Sequence, residues 1–345
     1  MSNDTRLEWT TSGQFKGFGT FSDADEFLHG TGPEGDSLTE TWYWGFSIPE
    51  ANLNFFAYCW LHPNLNVASG GLAIWKGIKR QHLASELFDW HTFISGDVIG
   101  DGSDIRLPNG FRAEVIEPLK HIHLTFSDPA RDTQVDVHYK AAQEPAMRAN
   151  GQHFEQLMHA TGYVVLRGEH LTVDSFHLRD RSWGQLRPEV ANPGPPYTWV
   201  TGAAEDGSWA FNVGSLDDPE RDPLWSQDYP GLASEAAYKD GWILRDGRTI
   251  HIKHASRHTE YDPESLRPTR FFIEIEDEEG EHMSVTGDVI ASMPFSTWYN
   301  MIAHVALVRW EVEGRPTAYG DSTEVHWNDF VWRHGQLEAT PAHNA

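Results

Sequence analysis

Residues 40–47 read Glu-Thr-Trp-Tyr-Trp-Gly-Phe-Ser, and two stretches of similar character follow at residues 53–60 and 71–76. Aromatic and other apolar residues dominate all three stretches, and turn-forming residues separate them. Such segments are typical of antiparallel strands joined by short loops. Because no amphipathic helical pattern stands between them, each strand is expected to follow the previous one directly.

The same pattern continues toward both ends of the chain. Strand-like segments recur at residues 122–126, 134–139, 209–213, 242–244, 249–253, 271–275 and 303–313. Pairs such as Asn109-Gly110 and Asp246-Gly247 lie between apolar stretches, as hairpin loops do. Only residues 22–28 and 152–160 favour a helix. We therefore predict an all-β protein built from antiparallel barrels or sandwiches, with few short helices.

The length of 345 residues is consistent with two domains or one large β domain. Both halves carry a comparable series of aromatic-rich strands, which two related β domains would explain. The irregular stretch at residues 141–151 is the predicted boundary. It gives an N-terminal β domain over residues 1–150 and a C-terminal β domain over residues 151–345.

The composition excludes several functional classes. With 26 Lys and Arg against 51 Asp and Glu, the formal net charge is −25, which argues against a nucleic-acid partner. The single cysteine excludes a disulfide framework and a cysteine-based zinc cluster. No secretory signal is visible and the apolar runs are too short to span a membrane, so we expect a cytoplasmic protein.

Several weaker motifs favour ordinary structural explanations. Residues 30–35 have the glycine spacing of a dinucleotide loop, but no strand precedes them and no helix follows, so we expect no nucleotide cofactor. His121 and His123 would share one strand face, and a second set could come from His251, His254 and His258. Neither set includes a third ligand of fixed geometry, so we expect surface histidines and no metal.

No nucleophile for covalent catalysis stands out. Ser182 lacks the Gly-x-Ser-x-Gly surround of a hydrolase elbow. Cys59 lies between Tyr58 and Trp60 in an apolar strand, where a thiol acts as a small hydrophobic side chain. Acid–base chemistry or binding is therefore favoured over covalent catalysis.

Residues 176–187 read Phe-His-Leu-Arg-Asp-Arg-Ser-Trp-Gly-Gln-Leu-Arg, which sets one carboxylate between two guanidinium groups. Alternation along a strand predicts one side with His177, Arg179, Arg181 and Trp183, and the opposite side with Asp180 and Ser182. Asp180 can serve as a structural ion-pair partner of a nearby arginine or as a functional carboxyl. Both explanations remain open at this stage.

This block resembles the lipocalin-like family of carotenoid 1,2-hydratase and the AttH-type proteins, whose fold the fungal Diels–Alderase-type cyclases share. Members carry an Asp-His/Arg-x-Trp-Gly motif at the start of their second β domain. The similarity covers residues 154–187 well and residues 314–325 loosely. Many members have histidine after the aspartate, where this chain has Arg181.

The resemblance implies two packed lipocalin-like β domains with an apolar cavity. It also implies hydration, dehydration, isomerisation or cyclisation of a bulky hydrophobic molecule of isoprenoid, steroid-like or aromatic type. No metal or organic cofactor is implied. The hydrophobic small molecule is the expected partner, and the sequence leaves open whether the chain is a monomer or a homodimer.

Our first hypothesis is a cofactor-independent lyase or isomerase. Asp180 would be the acid or base, held by Arg179 or Arg181, and the next candidates are His177, Glu155 and Asp321. The substrate would contact Trp183, Trp42, Trp44, Tyr58 and the two arginines. The rival hypothesis is a carrier that binds an apolar metabolite without turnover, or a cyclase that acts through shape alone. Solvent deuterium exchange into substrate or product would distinguish catalysis from binding.

Overall fold

The computed structural model describes residues 17–33, 35–187, 195–221, 234–296 and 300–334. Antiparallel strands form nearly all of the regular structure, which confirms the predicted all-β class. The strands form two bodies, an open eleven-stranded sheet and a closed barrel of eight strands.

The open sheet contains the first eleven strands of the chain. Its order is β4-β3-β2-β1-β11-β10-β8-β7-β6-β5, and the short β9 pairs with β10 beside this path. The strands are β1 (Leu38–Ile48), β2 (Leu53–His62), β3 (Val67–Lys76), β4 (Leu87–Ser95), β5 (Asp104–Arg106), β6 (Arg112–Glu117), β7 (His121–Asp128), β8 (Thr133–Ala141), β9 (Ala146–Met147), β10 (His153–Leu166) and β11 (Glu169–Leu186).

The barrel follows, with each strand paired to the next and the last strand paired back to the first. Its strands are β12 (Tyr197–Ala204), β13 (Trp209–Leu216), β14 (Tyr238–Arg245), β15 (Arg248–Tyr261), β16 (Pro268–Asp277), β17 (His282–Phe295), β18 (Met301–Val312) and β19 (Ala318–Trp327). Two short helices accompany them, α1 (Ser234–Ala237) and α2 (Asn328–His334). Neither of these helices, nor any other in the described ranges, is long and apolar enough to cross a membrane.

The sheet topology differs from the predicted division of the chain at residue 150. Strands β10 and β11 belong to the first sheet, where β11 pairs with β1 and β10 pairs with β8. The barrel begins only at Tyr197. The block at residues 176–187 therefore completes the N-terminal sheet and does not open the second domain. The predicted helix at 152–160 is also wrong, because residues 153–160 lie in the paired strand β10.

Strand β1, which contains the aromatic stretch at residues 40–47, is buried on both faces. Trp42, Trp44 and Phe46 point into the core of the N-terminal sheet. Tyr43 points to the other side, where it joins a cluster that includes Phe295 of the barrel. A strand covered on both faces has no reason to alternate apolar with polar residues. This explains why residues 40–47 are apolar almost throughout and shows that β1 lies at the interface of the two domains.

The predicted helix at residues 22–28 is confirmed only as a single 3-10 turn, Asp23–Glu26. The Ser22 and Asp25 side chains form a capping box that fixes this turn. The turn delivers Glu26 into the interior, where it is 1% exposed. Its carboxylate then has to meet a buried cation, and that cation comes from β11.

Candidate active site at the interface of the two domains

The two arginines next to Asp180 point away from it. Arg179 donates hydrogen bonds from Nη1 and Nη2 to the two carboxylate oxygens of Glu26, at 2.7 and 2.8 Å. Arg181 donates from Nη2 to Oε2 of Glu40 at 2.6 Å. Burial acts to raise the pKa of Glu26, but the charge and hydrogen bonds of Arg179, a backbone hydrogen bond from Leu119 and the charge of Arg181 together outweigh it, so the pKa lies below its usual value. The expectation that Arg179 or Arg181 holds Asp180 is therefore wrong.

The predicted tryptophans also lie on the arginine side of β11. Trp42 and Trp44 are 1% and 3% exposed within the N-terminal core. The Arg181 guanidinium lies 4.0 Å from the ring centroid of Trp42 and 5.5 Å from that of Trp183. This cation–π stack accounts for the close spacing of Arg181 and Trp183 in the sequence. The structure thus separates these aromatic residues from Asp180.

Asp180 lies on the opposite face of β11, directly across from Glu155 on β10. Both carboxyls are buried, and within the described residues neither Oδ1 of Asp180 nor Oε2 of Glu155 has a hydrogen-bond partner. Burial raises the pKa of Asp180 to about 7 although Arg187 and Arg148 act to lower it. Burial also raises the pKa of Glu155 to about 7, against the charge of Arg148. The pair can therefore take up or release a proton near neutral pH.

The barrel supplies a third carboxyl to this buried pair. Arg148 donates from Nη2 to Oε1 of Glu155 at 2.9 Å, and its Nε lies 2.8 Å from Oδ2 of Asp240 on β14. His153 places Nε2 at 3.2 Å from Glu155 and 3.9 Å from Asp180. Burial and the charge of Arg148 hold the pKa of His153 well below its usual value. One arginine thus bridges the carboxyls of the two domains.

Tyr58 is the predicted substrate-binding residue that the structure does bring to the Asp180 side of the sheet. It lies on the face of β2 that packs against the barrel. Its hydroxyl accepts a hydrogen bond from Nη1 of Arg187 at 3.1 Å. Burial raises the pKa of this hydroxyl, with a further upward contribution from the charge of Asp180.

A second cluster of buried polar residues, centred on the carboxyl of Asp321, lies farther along the same interface. Tyr43 donates its hydroxyl hydrogen bond to Oδ2 of Asp321, and Asn54 donates from Nδ2 to Oδ1 at 2.8 Å. His177 places Nε2 at 3.5 Å from Oδ1. Burial raises the pKa of Asp321 well above its usual value. We call Tyr43, Asn54, His177 and Asp321 the Asp321 cluster.

The protonation of His177 follows from its hydrogen bonds. Its Nδ1 lies 3.1 Å from the Leu178 carbonyl, which can only accept, so Nδ1 carries the hydrogen. The Nε2 lone pair then faces Asp321. Burial lowers the pKa of His177 to about 4, so the ring is neutral at pH 7. A buried carboxyl with a raised pKa and a neutral imidazole thus stand opposite each other.

A cleft of about 230 Å³ lies near the Asp321 cluster, whose four members are not among its lining residues. Its lining combines apolar groups with acidic ones, and comprises Ser47, Ile48, Pro49, Glu50, Thr172, Asp174, Ser175, Phe176, Ala203, Glu205 and Tyr319. Ser47 is the register partner of Asn54, and Tyr319 precedes Asp321 by two residues on the same face of β19. Asp180 is more remote, because four residues of extended strand from Phe176 span about 13 Å.

Sequence reasoning named Asp321 and His177 but missed Tyr43 and Asn54. Both missed residues sit in strands that the aromatic pattern identifies, yet their polar atoms meet Asp321 only across the domain interface. The alternative set of His251, His254 and His258, which the sequence pattern suggests but does not favour, is not a metal-binding group among the described residues. His251 is buried against Asp240, whereas His258 stacks on Phe272 at the surface of the barrel.

The fold and the interface define a two-domain β protein with buried acid–base groups between an open sheet and a closed barrel. The chain belongs to the family described as a domain of unknown function, DUF7064, whose model matches residues 22–329. No curated protein matches the chain in sequence.

Solved structures of similar shape confirm the fold that the sequence resemblance implies. A candidate AttH protein from Nitrosomonas europaea has a TM-score of 0.59 and 13% identity, covering 88% of this chain and 99% of that chain. CghA in complex with Sch210972 has a TM-score of 0.52 and 12% identity, covering 84% of this chain and 88% of that chain. Identities this low establish a shared fold and nothing more.

Proposed function

We propose that this protein is a cofactor-independent acid–base enzyme, a lyase or isomerase that adds or removes water at an alkene. The observation that carries the proposal is the Asp321 cluster. It places a buried carboxyl with a raised pKa 3.5 Å from a neutral imidazole, near a cleft between the domains. A carboxyl that holds its proton more tightly than a free carboxyl, next to an uncharged imidazole, offers the acid and the base that such chemistry needs.

In the proposed hydration, Asp321 and His177 both return to their starting protonation states. The Asp321 carboxyl transfers its proton to one alkene carbon, and water adds to the cation that forms on the other carbon. The added water loses a proton to Nε2 of His177. The imidazolium then returns this proton to the Asp321 carboxylate across the same contact. Tyr43 and Asn54 donate hydrogen bonds to both carboxylate oxygens, which stabilises the charge that develops there.

The cleft favours a neutral, largely apolar substrate. Ile48, Phe176 and Ala203 supply apolar surface, whereas Glu50 and Glu205 add negative charge that repels anions. CghA, a protein of the same fold, is known in complex with Sch210972, which supports an organic molecule as the ligand.

The chemical step is assigned to Asp321, whereas the sequence favoured Asp180. Leu178, which lies between Phe176 and Asp180 on β11, packs against barrel residues, and Asp180 is not among the residues that line the cleft. Asp180 and Glu155 are proposed as the second acid–base pair of the interface, with a pKa of about 7 each. Variants at the two carboxyls separate these roles.

The test is solvent deuterium incorporation. Purified protein in deuterated water is incubated with a panel of terpenoid, polyphenol and polyketide alkenes, and products are analysed by mass spectrometry. We expect incorporation by the wild type, and at least a hundredfold loss in Asp321→Asn and His177→Gln. Glu169→Gln is the matched control, because Glu169 lies on β11 with its side chain 55% exposed.

Each of the other outcomes rejects part of the proposal. Turnover that survives Asp321→Asn but is lost in Asp180→Asn would assign the chemistry to Asp180. Ligand binding by the wild type without deuterium exchange would establish a carrier or a shape-only cyclase. Circular dichroism and ligand binding of each variant show whether a loss of turnover reflects a loss of folding.

A further inference from the structure

Four polar residues meet on the outer face of the hairpin formed by β7 and β8. His121 and His123 alternate with Ile122 and Leu124, which point into the N-terminal core. On β8, Asp136 and His138 likewise alternate with core residues, and His138 is the register partner of His123. Two imidazoles from one strand therefore face an imidazole and a carboxylate from the next.

The distances within this group are short. Nε2 of His123 lies 2.8 Å from Oδ1 of Asp136, and Nε2 of His121 lies 3.0 Å from Nδ1 of His138. The rings of His123 and His138 stack at 4.0 Å. One ligand atom from each of His123, Asp136 and His138 can be chosen so that all three lie within 4.8 Å of one another.

We propose that His123, Asp136 and His138 bind a divalent transition-metal ion of the zinc class. Bonds of about 2.0–2.2 Å from zinc to nitrogen and oxygen place tetrahedral ligand atoms about 3.4 Å apart. Small side-chain rotations would bring the ligand atoms of His123, Asp136 and His138 to this separation. Such rotations are available because the side chains of His123 and Asp136 are 22% and 35% exposed.

His121 acts as a positioning residue for this site. Nε2 of His121 is hydrogen-bonded to Nδ1 of His138, so Nε2 of His138 remains as the ligand atom. Metal-binding histidines commonly have their second nitrogen fixed by such a partner. Lys140 is the register partner of His121, so the positive charge of its ammonium group disfavours a metal at that end. The three ligands leave a fourth coordination position for water.

The ligand types favour zinc, copper or nickel over magnesium or calcium. Two imidazole nitrogens and one carboxylate oxygen suit borderline transition metals, whereas hard cations require a shell of oxygen atoms. Glu114 lies opposite His123 on β6, but its carboxylate forms an ion pair with Arg112 at 2.9 Å. A site rich in oxygen is therefore not available at this position.

Isothermal titration calorimetry of chelator-treated full-length protein with Zn²⁺ tests the proposal, and Co²⁺ absorption reports the ligand geometry. We expect one tight site in the wild type. His123→Gln, Asp136→Asn and His138→Gln are each expected to weaken that site at least a hundredfold. His121→Gln should weaken it roughly 10- to 100-fold, as expected for a residue that orients a ligand.

His159→Gln is the matched control, because His159 forms a comparable exposed pair with Asp174 on the same sheet, at 2.6 Å. It should leave the tight site unchanged. Absence of a tight site in the wild type, equal affinity in wild type and His138→Gln, or an equal loss in His159→Gln would overturn the proposal. Because the substituted side chains are half-buried, their replacement can affect stability. Thermal unfolding of each variant therefore tests whether the fold persists.

Discussion

Replacing Asp180 with asparagine removes one titrating proton from the domain interface while nearly preserving the shape of the side chain. Burial raises the pKa of Asp180 from 3.8 to about 7. Each unit of pKa corresponds to about 1.4 kcal/mol, so ionising this carboxyl in the folded protein costs about 4 kcal/mol in all.

The sign of the pH effect follows from proton binding. Between pH 3.8 and about 7 the folded protein holds the Asp180 proton and the unfolded chain has released it. Stability therefore falls as the pH rises through this window. From pH 5 to pH 8.5 the wild type is expected to lose about 3 kcal/mol through this group, whereas an amide does not titrate. Glu155 should respond in the same direction, because burial raises its pKa to about 7, with smaller upward contributions from the charges of Asp240 and Asp180.

Urea unfolding followed by tryptophan fluorescence at pH 5 and pH 8.5 measures this effect. The quantity of interest is the change in unfolding free energy between the two pH values, compared between wild type and Asp180→Asn. The wild type should lose about 3 kcal/mol more than the variant. Glu169→Gln, a surface substitution on the same strand, should behave as the wild type. An identical pH response of wild type and Asp180→Asn would refute the assignment of a raised pKa to this carboxyl.

Three further substitutions or reactions test other parts of the structure. Arg179→Met leaves the buried Glu26 carboxylate without its bidentate partner, so urea unfolding should show a loss of about 3–5 kcal/mol, and a loss below about 1 kcal/mol would contradict this account. Gly45→Ala places a Cβ against the His177 ring, so thermal unfolding should show about 1–3 kcal/mol of destabilisation, and an unchanged melting curve would exclude the close approach. The Cys59 thiol is buried with a raised pKa, so a thiol reagent at pH 8 should label it only after denaturation, and rapid labelling of folded protein would place it at the surface.

The sequence predicts the strand content well because aromatic segments and turn residues are local signals. It fails at residues 152–160, where Phe154, Leu157 and Met158 have the i, i+3, i+4 spacing of a helix, but the segment extends a sheet through pairing with β8 and β11. It also misplaces the boundary between the two bodies, since the partner of a strand is not encoded in its own residues. Tertiary pairing decides both cases.

The candidate site was predictable in part. Strand alternation correctly separates Asp180 from Arg179 and Arg181. It cannot reveal that Glu26 and Glu40 lie on the arginine side and form ion pairs there. The sequence did not reveal the close grouping of His123 with Asp136 and His138, because two of the three ligands come from the next strand. A hairpin register applied to residues 121–123 and 136–138 would have found it.

The pairing of β1 with β11 has a consequence for the order in which the protein forms during synthesis. Thr41 pairs with Ser182, a partner that leaves the ribosome 141 residues later. Until then one edge of β1 presents unpaired backbone groups and the aromatic surface beside them, which is a condition that promotes association between nascent chains. In a chain truncated at residue 150, that edge of β1 would stay unpaired permanently. A chain that ends after Leu186 would contain β11, the strand that pairs with this edge.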